Sequence, residues 1–258
     1  MTVPAAPHQH AGDRRAAPTA LAVDLGSCTT GVWAAERGTV SGSAGDVYPA
    51  AGAPVRRGRV TDVAGCAALL SGLLGRYPEP VPPGGVVVAC RPVLASRSEQ
   101  DATRRVLELV FRPSRVLFID SVRAAAIGSG ATAGLLLIAD VGAELTEVAL
   151  LDHGRVLAAR RTEIGTGDLT LGATVDLISD NVVRHVDDLR ATLDAPRLRA
   201  ATARGLLLVG DGALHPGLGA AVAGALGMRV HRATTPRTAA LNGAGLAAMS
   251  LRRHPAIV

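Results

Sequence analysis

The 258-residue chain contains no lysine; all 27 of its basic residues are arginine. A GC-rich codon bias explains that more simply than a nucleic-acid footprint. Aromatic residues make up only 2% of the chain, which excludes the stacking platform that proteins use to bind single-stranded bases. The arginines are scattered, so the net charge of +5 forms no basic stripe and no specific nucleic-acid partner is expected. Cysteine is scarce: Cys28, Cys66 and Cys90 stand far apart, match no metal-ligand spacing and suit a reducing cytosol. No uninterrupted apolar run reaches about 18 residues, so no transmembrane helix is expected. The protein is expected in the cytoplasm, free or peripheral to a membrane. Residues 1–18 are polar and rich in Pro and Ala, lack the apolar core of a secretory signal, and read as a disordered tail.

What the chain does have is three turns in which aspartate stands beside glycine. They read Val23-Asp24-Leu25-Gly26-Ser27-Cys28-Thr29-Thr30, Ala139-Asp140-Val141-Gly142-Ala143-Glu144-Leu145-Thr146, and Val209-Gly210-Asp211-Gly212-Ala213. Each follows a short apolar run of the kind that forms a buried strand. A strand that ends in such a turn leaves backbone N–H groups free at the bend, and glycine lets that backbone approach a phosphate. The aspartate offers oxygen to a magnesium ion or its waters. One such turn would mean little, because Gly and Asp are ordinary hairpin residues. Three suggest two phosphate clamps and one nucleoside clamp.

The first two turns open matching segments. Asp24, Gly26, Thr30 and Val32 correspond to Asp140, Gly142, Thr146 and Val148 at an offset of about 116, and Ser121–Gly128 resembles Thr235–Asn242 at about 114. This implies two related α/β halves facing each other across a cleft, the alternative being one open sheet with chance similarity. The first half spans 19–131, with a last helix, 236–250, returning to it; the second spans 132–235. Gly58 to Asp62 leads into a helix over 62–76. A strand follows at 86–90, and Ser96 with Glu99 forms a capping box for a helix to about 111. A strand at 116–119 precedes a helix over 121–130. The second half begins with strands at 135–140, 146–151 and 155–161. One or two helices over 168–194, a strand at 206–209, a helix over 214–226 and a strand at 229–231 complete it. Small residues in Ala124–Gly130 and in the last helix would let those two helices cross closely between the halves, as a hinge.

This order of motifs resembles the actin, Hsp70 and sugar-kinase superfamily, and within it the bacterial actins of the MreB type. Asp24-Leu25-Gly26 is similar to the first phosphate motif, and Gly58-x-Val60-x-Asp62 to the Gly-x-Ile-x-Asp segment. Ile119–Gly130 resembles the first connecting motif, Asp140-Val141-Gly142 with Thr146-Glu147-Val148 the second phosphate motif, Val209–Leu214 the adenosine motif, and Asn242–Gly245 the second connecting motif. The resemblance covers about Leu21 to Met249. It implies duplicated ribonuclease H-like halves around a nucleotide cleft, with ATP and Mg2+ as cofactors. The implied nucleotide contacts are Asp24, Gly26, Ser27, Cys28, Thr29, Asp140, Gly142, Ala143, Thr146, Gly210, Asp211, Gly212 and Ala213. Asp24 and Asp140 would hold Mg2+ through its waters. The implied role is cell-shape or envelope organisation, with ATP or ADP, further copies of the chain or other cell-shape proteins as partners.

Several positions depart from the family pattern. Ser121 and Val122 stand where the resemblance implies a water-positioning glutamate and a proline; Asp120 is one position early and would point elsewhere. Ala143, Glu144 and Leu145 replace the Gly-Gly-Thr of the second phosphate turn, and Asp211 replaces a glycine. A carboxylate at Glu144 set about 4 Å from a phosphate charge would cost roughly 4 kcal/mol per pair at an effective dielectric near 20. The stretches 42–57 and 167–205 are too brief for the outer subdomains of an MreB-type chain, so a reduced form is expected. Hydrolysis is therefore expected to be weak or lost. The rival functions are a pseudo-ATPase scaffold that needs no nucleotide and a small-molecule kinase of the same superfamily.

At the level of single residues, Asp24 and Asp140 would bind the magnesium shell or merely cap their hairpins. Thr29, Thr30 and Thr146 would donate to phosphate or simply pack. Ser121 is expected to be an N-cap, Cys28 an incidental small residue, and Glu144 a group that repels nucleotide or faces solvent. The histidines His153, His185, His215 and His231 are scattered and suggest no metal centre.

Overall fold

The fold is described from a computed structural model covering residues 19–43 and 52–253; the tail expected over 1–18 lies outside them. The first half contains β1 (Ala20–Leu25), β2 (Thr29–Ala34), β3 (Gly38–Ser43), β4 (Val55–Arg56), β5 (Arg59–Val60), α1 (Val63–Leu74), β6 (Val86–Arg91), α2 (Arg97–Phe111), β7 (Arg115–Asp120) and α3 (Ser121–Gly128). The second contains β8 (Leu135–Val141), β9 (Thr146–Asp152), β10 (Arg155–Thr162), α4 (Val175–Arg190), α5 (Ala195–Arg204), β11 (Leu206–Val209), α6 (Leu218–Leu226), β12 (Val230–Arg232) and α7 (Ala239–Arg253).

Two five-stranded sheets result, ordered β3-β2-β1-β6-β7 and β10-β9-β8-β11-β12. In each, an antiparallel meander of three strands continues into two parallel strands. The identical order answers the question left by the sequence: the internal repeat is a repeated fold, not chance similarity within one sheet. The strands β1, β6, β8 and β11 read as nearly continuous apolar runs because both of their faces are covered. Alternation still sorts them. Leu21 and Val23 of β1 join Leu70, Leu107 and Phe111 of α1 and α2 on the outer face, while Ala20 and Ala22 face the interior shared by both halves. On the second sheet, Leu137 and Leu150 pack on Ile178 of α4 and Val222 of α6.

Helices α3 and α7 fill the space between the sheets, α7 on β1, β2 and β6, and α3 on β8 and β9 as well as on β6 and β7. Their backbones touch. A Cβ on Gly243 would lie 1.8 Å from the Ala124 carbonyl oxygen, and one on Gly128 would lie 2.1 Å from that of Ala239. Only glycine fits at such an approach.

Several local expectations change. Ser121 is not an N-cap: β7 runs straight into α3, so Asp120 takes that place without a capping side-chain bond and Ser121 is the first helical residue. The region 168–194 holds a 3-10 turn over Thr166–Leu171 and then α4, and the unexpected α5 follows. Asp194 caps α5 by accepting the Arg197 N–H at 2.9 Å, with Pro196 in the first turn and Gly205 at the end. The helix expected from Leu214 starts at Leu218, because residues 211–214 form a 3-10 turn followed by Pro216-Gly217. The capping box of α2 is formed as expected, Ser96 Oγ accepting from Glu99 N–H at 3.2 Å while Glu99 accepts the Ser96 N–H. No helix among the described residues is long and apolar enough to cross a membrane.

Candidate functional site

The ends of β1, β8 and β11 converge on one cleft between the halves, with a volume of about 120 Å³. Asp24, Gly26, Ser27, Cys28 and Thr29 line it from the first turn, Asp140, Gly142 and Ala143 from the second, and Gly210 and Asp211 from the third. The two repeat turns close alike, Gly26 N–H on Thr29 O at 3.1 Å and Gly142 N–H on Leu145 O at 2.8 Å. Those two glycine N–H groups are therefore consumed, contrary to the expectation that the whole bend stays free. The N–H groups of Ser27, Cys28, Ala143 and Glu144 meet no acceptor among the described residues. The third turn leans on the second: a Cβ on Gly210, at φ +82°, would lie 2.4 Å from Asp140 Oδ1.

Four candidates do not line the cleft. Thr146 is fully buried and donates its hydroxyl to Ile164 O at 2.8 Å. Gly212 and Ala213 are buried too, and a Cβ on Gly212 would meet Val141 Cγ1 at 2.4 Å. They fix the turn instead of offering ligand contacts. Thr30 is fully buried with its Oγ1 unpartnered, so it does not face the cleft as a phosphate donor.

The cleft floor is acidic. Burial, then the charge of Asp211, pushes Asp24 up to about 6; burial, then Asp24 and Asp211, pushes Asp140 up to about 7. No N–H among the described residues bonds to either carboxylate, so neither serves as a hairpin cap. Glu147 is a residue the sequence reading gave no role. It lies 4% exposed on the floor, accepts the Val93 N–H, and is driven well above the usual carboxylate range by burial and Asp140. Its signal was present as a lone acid inside the apolar strand β9, at a position where the first repeat has Gly31. Cys90, beside them, is likewise raised by burial.

The departures now have a geometry. Ser121 lines the cleft but donates its hydroxyl to Arg91 O at 3.0 Å, and Asp120 pairs with Arg91 Nε at 2.9 Å at a separate surface. No carboxylate stands at the family's water-positioning place. Glu144 neither faces solvent nor stands alone against the cleft. It accepts Arg56 Nε at 3.0 Å and the Arg57 N–H at 2.8 Å, because the β4–β5 hairpin of the first half reaches across to it. Asp211 is paired with Arg237 Nε at 2.6 Å.

Neither a protein-family model nor a curated protein matches the sequence. Solved structures do. MreB5 of Spiroplasma citri bound to ADP superposes with a TM-score of 0.75 at 12% identity, over 93% of this chain and 99% of that one. Its AMPPNP-bound form gives 0.77 at 14% identity, over 92% and 98%. A MamK double helical filament gives 0.75 at 13% identity, over 90% and 99%, and the ethanolamine utilization protein EutJ of Carboxydothermus hydrogenoformans gives 0.68 at 15% identity, over 89% of both chains. The fold is that of the actin-like ATPases.

Within this actin-like frame the donor set fits a hydrated cation better than a directly bound one. Neutralising Asp24 and Asp140 would relieve their mutual repulsion. Yet no three metal-ligating side chains converge among the described residues, the scattered histidines included. Magnesium would be held by Asp24 and Asp140 through water. A volume of about 120 Å³ is smaller than the ~300–1,000 Å³ of typical ligand pockets.

Proposed function

We propose that the chain is an MreB-type bacterial actin homologue of reduced form, cytoplasmic and acting in cell-shape or envelope organisation. It binds ATP or ADP with Mg2+ weakly and has little or no hydrolytic activity. The observation that carries this reading is the convergence of the Asp24, Asp140 and Gly210 turns on one cleft between duplicated halves. The ligands in the MreB5 structures and the filament formed by MamK support nucleotide binding and self-association here. Phosphoryl transfer to water needs a positioned nucleophile and a cradle that neutralises charge. At Ser121 there is a hydroxyl already donated to a carbonyl, which does not act as a base.

A pseudo-ATPase scaffold is the second reading, and the small cleft and the pairing of Glu144 favour it. The kinase reading would need a substrate lobe, and the stretches 42–57 and 167–205 are too brief to supply one. The test is calorimetry and phosphate release with Mg-ATP, for the wild type and a Glu144→Gly/Ser121→Glu variant. Weak binding without turnover is expected in the wild type, and tighter binding in the variant. Sustained wild-type hydrolysis would refute the loss of activity; undetectable binding by both proteins would leave the scaffold.

A further inference from the structure

The hairpin β4–β5 has a two-residue turn, Arg57-Gly58, with φ of +50° and +73°. Positive φ at both positions is the geometry of the tight turns that suit a hairpin's twist. Gly58 accepts it readily; Arg57 carries a Cβ into the left-handed region, at a cost. The surroundings hold Arg57 there. Its guanidinium grips Asp168 through two bonds of 2.7 Å each, and its NH1 also donates to Glu163 O at 2.9 Å. Its backbone N–H donates to Glu144 at 2.8 Å. Arg59 ion-pairs with Glu163 of the second half and Glu99 of the first, and Glu99 in turn meets Arg161 at 3.3 Å. Gly58 sits against Leu145: a Cβ there would lie 3.0 Å from Leu145 Cδ2 and 2.8 Å from Pro92 Cγ. Hydrogen bonds from Arg57 hold Asp168 below the usual carboxylate range.

Every one of these hairpin residues belongs to the first half; Glu144, Glu163 and Asp168 belong to the second. The Arg57–Asp168 pair is not a loose surface contact: its side chains are only 25% and 11% exposed and the contact is bidentate, whereas Arg59 and Glu163 lie at the surface. In a two-lobed protein closed by its ligand, that ligand supplies the link between lobes. Here the chain supplies one itself, at the mouth of the cleft.

We infer that the β4–β5 hairpin is a strap: its ion pairs hold the halves shut without nucleotide, and a nucleotide enters only when the strap releases. The second clause rests on the reading of the cleft as a nucleotide site; the first does not. Spin labels at Ser71→Cys on α1 and Asp180→Cys on α4, both exposed, report the distance between the halves. For the distance measurements alone, a Cys28→Ser background removes the one exposed native thiol, and calorimetry keeps Cys28. Arg57→Asn cuts the strap while keeping a residue that tolerates positive φ, so the turn survives; Asp168→Asn cuts it from the other side.

Without nucleotide, the unmodified strap should give one narrow, short distance. Each single variant should shift and broaden it toward longer distances, and the double variant should add little, as expected of two halves of one contact. Salt should widen the starting distribution in the same direction. ADP, measured by calorimetry with Mg2+, should bind Arg57→Asn about 10-fold more tightly, because the binding-competent open form is no longer scarce. A broad distribution before any mutation, or an unchanged one in both single variants, would overturn the strap. Unchanged ADP binding alongside a widened distance would overturn the gating of nucleotide and leave the strap standing.

Discussion

The two Asp-x-Gly turns are copies of one design, and they have come to differ. Both close on themselves through the glycine N–H, and both carry a half-buried aspartate whose carboxyl is raised, to about 6 and about 7. The first still presents Ser27, Cys28 and Thr29 to the cleft. In the second, Glu144 is taken up by Arg56 and Arg57, and Leu145 is pressed against Gly58. The difference lies in what the other half sends across: the β4–β5 hairpin pairs with the second turn at Glu144 and Leu145, while Gly142 and Ala143 still line the cleft. The first bend is open to the cleft, and the second, while lining it too, is also the seat of a contact between the halves.

The largest contrast is expected at the turn glycines. A Cβ at Gly26 would lie 2.6 Å from the Thr29 carbonyl oxygen, a backbone atom that cannot give way; at Gly142 the equivalent distance to Leu145 O is 3.2 Å. Gly26→Ala should destabilise by about 2–3 kcal/mol in urea unfolding and Gly142→Ala by less than about 1 kcal/mol. Equal costs would mean that the two turns do not differ in the closeness of this approach.

Next in size is the pH dependence. Folded carboxyls raised to about 6 and about 7 bind protons that the unfolded chain, near 3.8, has released. Their contribution is therefore fully present below about pH 4 and is lost as the pH rises through 6 and 7. Asp140→Asn should then stabilise the protein at pH 8 by about 1–3 kcal/mol and change little at pH 4, with a smaller effect for Asp24→Asn. Thermal melts at the two pH values, in chelator to exclude cations, test the sign. A loss of stability at pH 8 would show that the aspartates are satisfied as ions.

The smallest contrast compares Thr30 with Thr146, two matched and fully buried threonines. The hydroxyl of Thr146 reaches Ile164 O at 2.8 Å, and that of Thr30 has no partner. Thr146→Val should cost about 1–2 kcal/mol, and Thr30→Val should be neutral or stabilising. Chemical denaturation of the two variants decides it; the reverse ranking would point to a partner for Thr30 that the closed form does not show.

Much of this arrangement could be read from the sequence because it is written locally. The offset between Asp24 and Asp140 is borne out in two sheets of the same strand order, and Ser96 with Glu99 caps α2. Helix α5 was equally local, with Asp194, Pro196 and Gly205 marking it, and was overlooked. The strap was not legible, because the partners of Arg57 lie about a hundred residues away and single arginines carry no address. Glu147 hid for a related reason: an acid inside an apolar strand declares its role only when the facing β6 end supplies the Val93 N–H. The place of Ser121 was legible, but whether its hydroxyl was free depended on the carbonyl of Arg91.

A crystal structure of the full chain grown with saturating Mg-ADP tests most directly the proposal that the first turn is a phosphate site and that nucleotide enters only when the strap at the second turn releases. Expected is a diphosphate seated on Ser27, Cys28 and Thr29, hydrated magnesium beside Asp24 and Asp140, and the Arg57–Asp168 pair parted. ADP bound away from the first turn, or bound within the cleft with the strap unbroken, would contradict it.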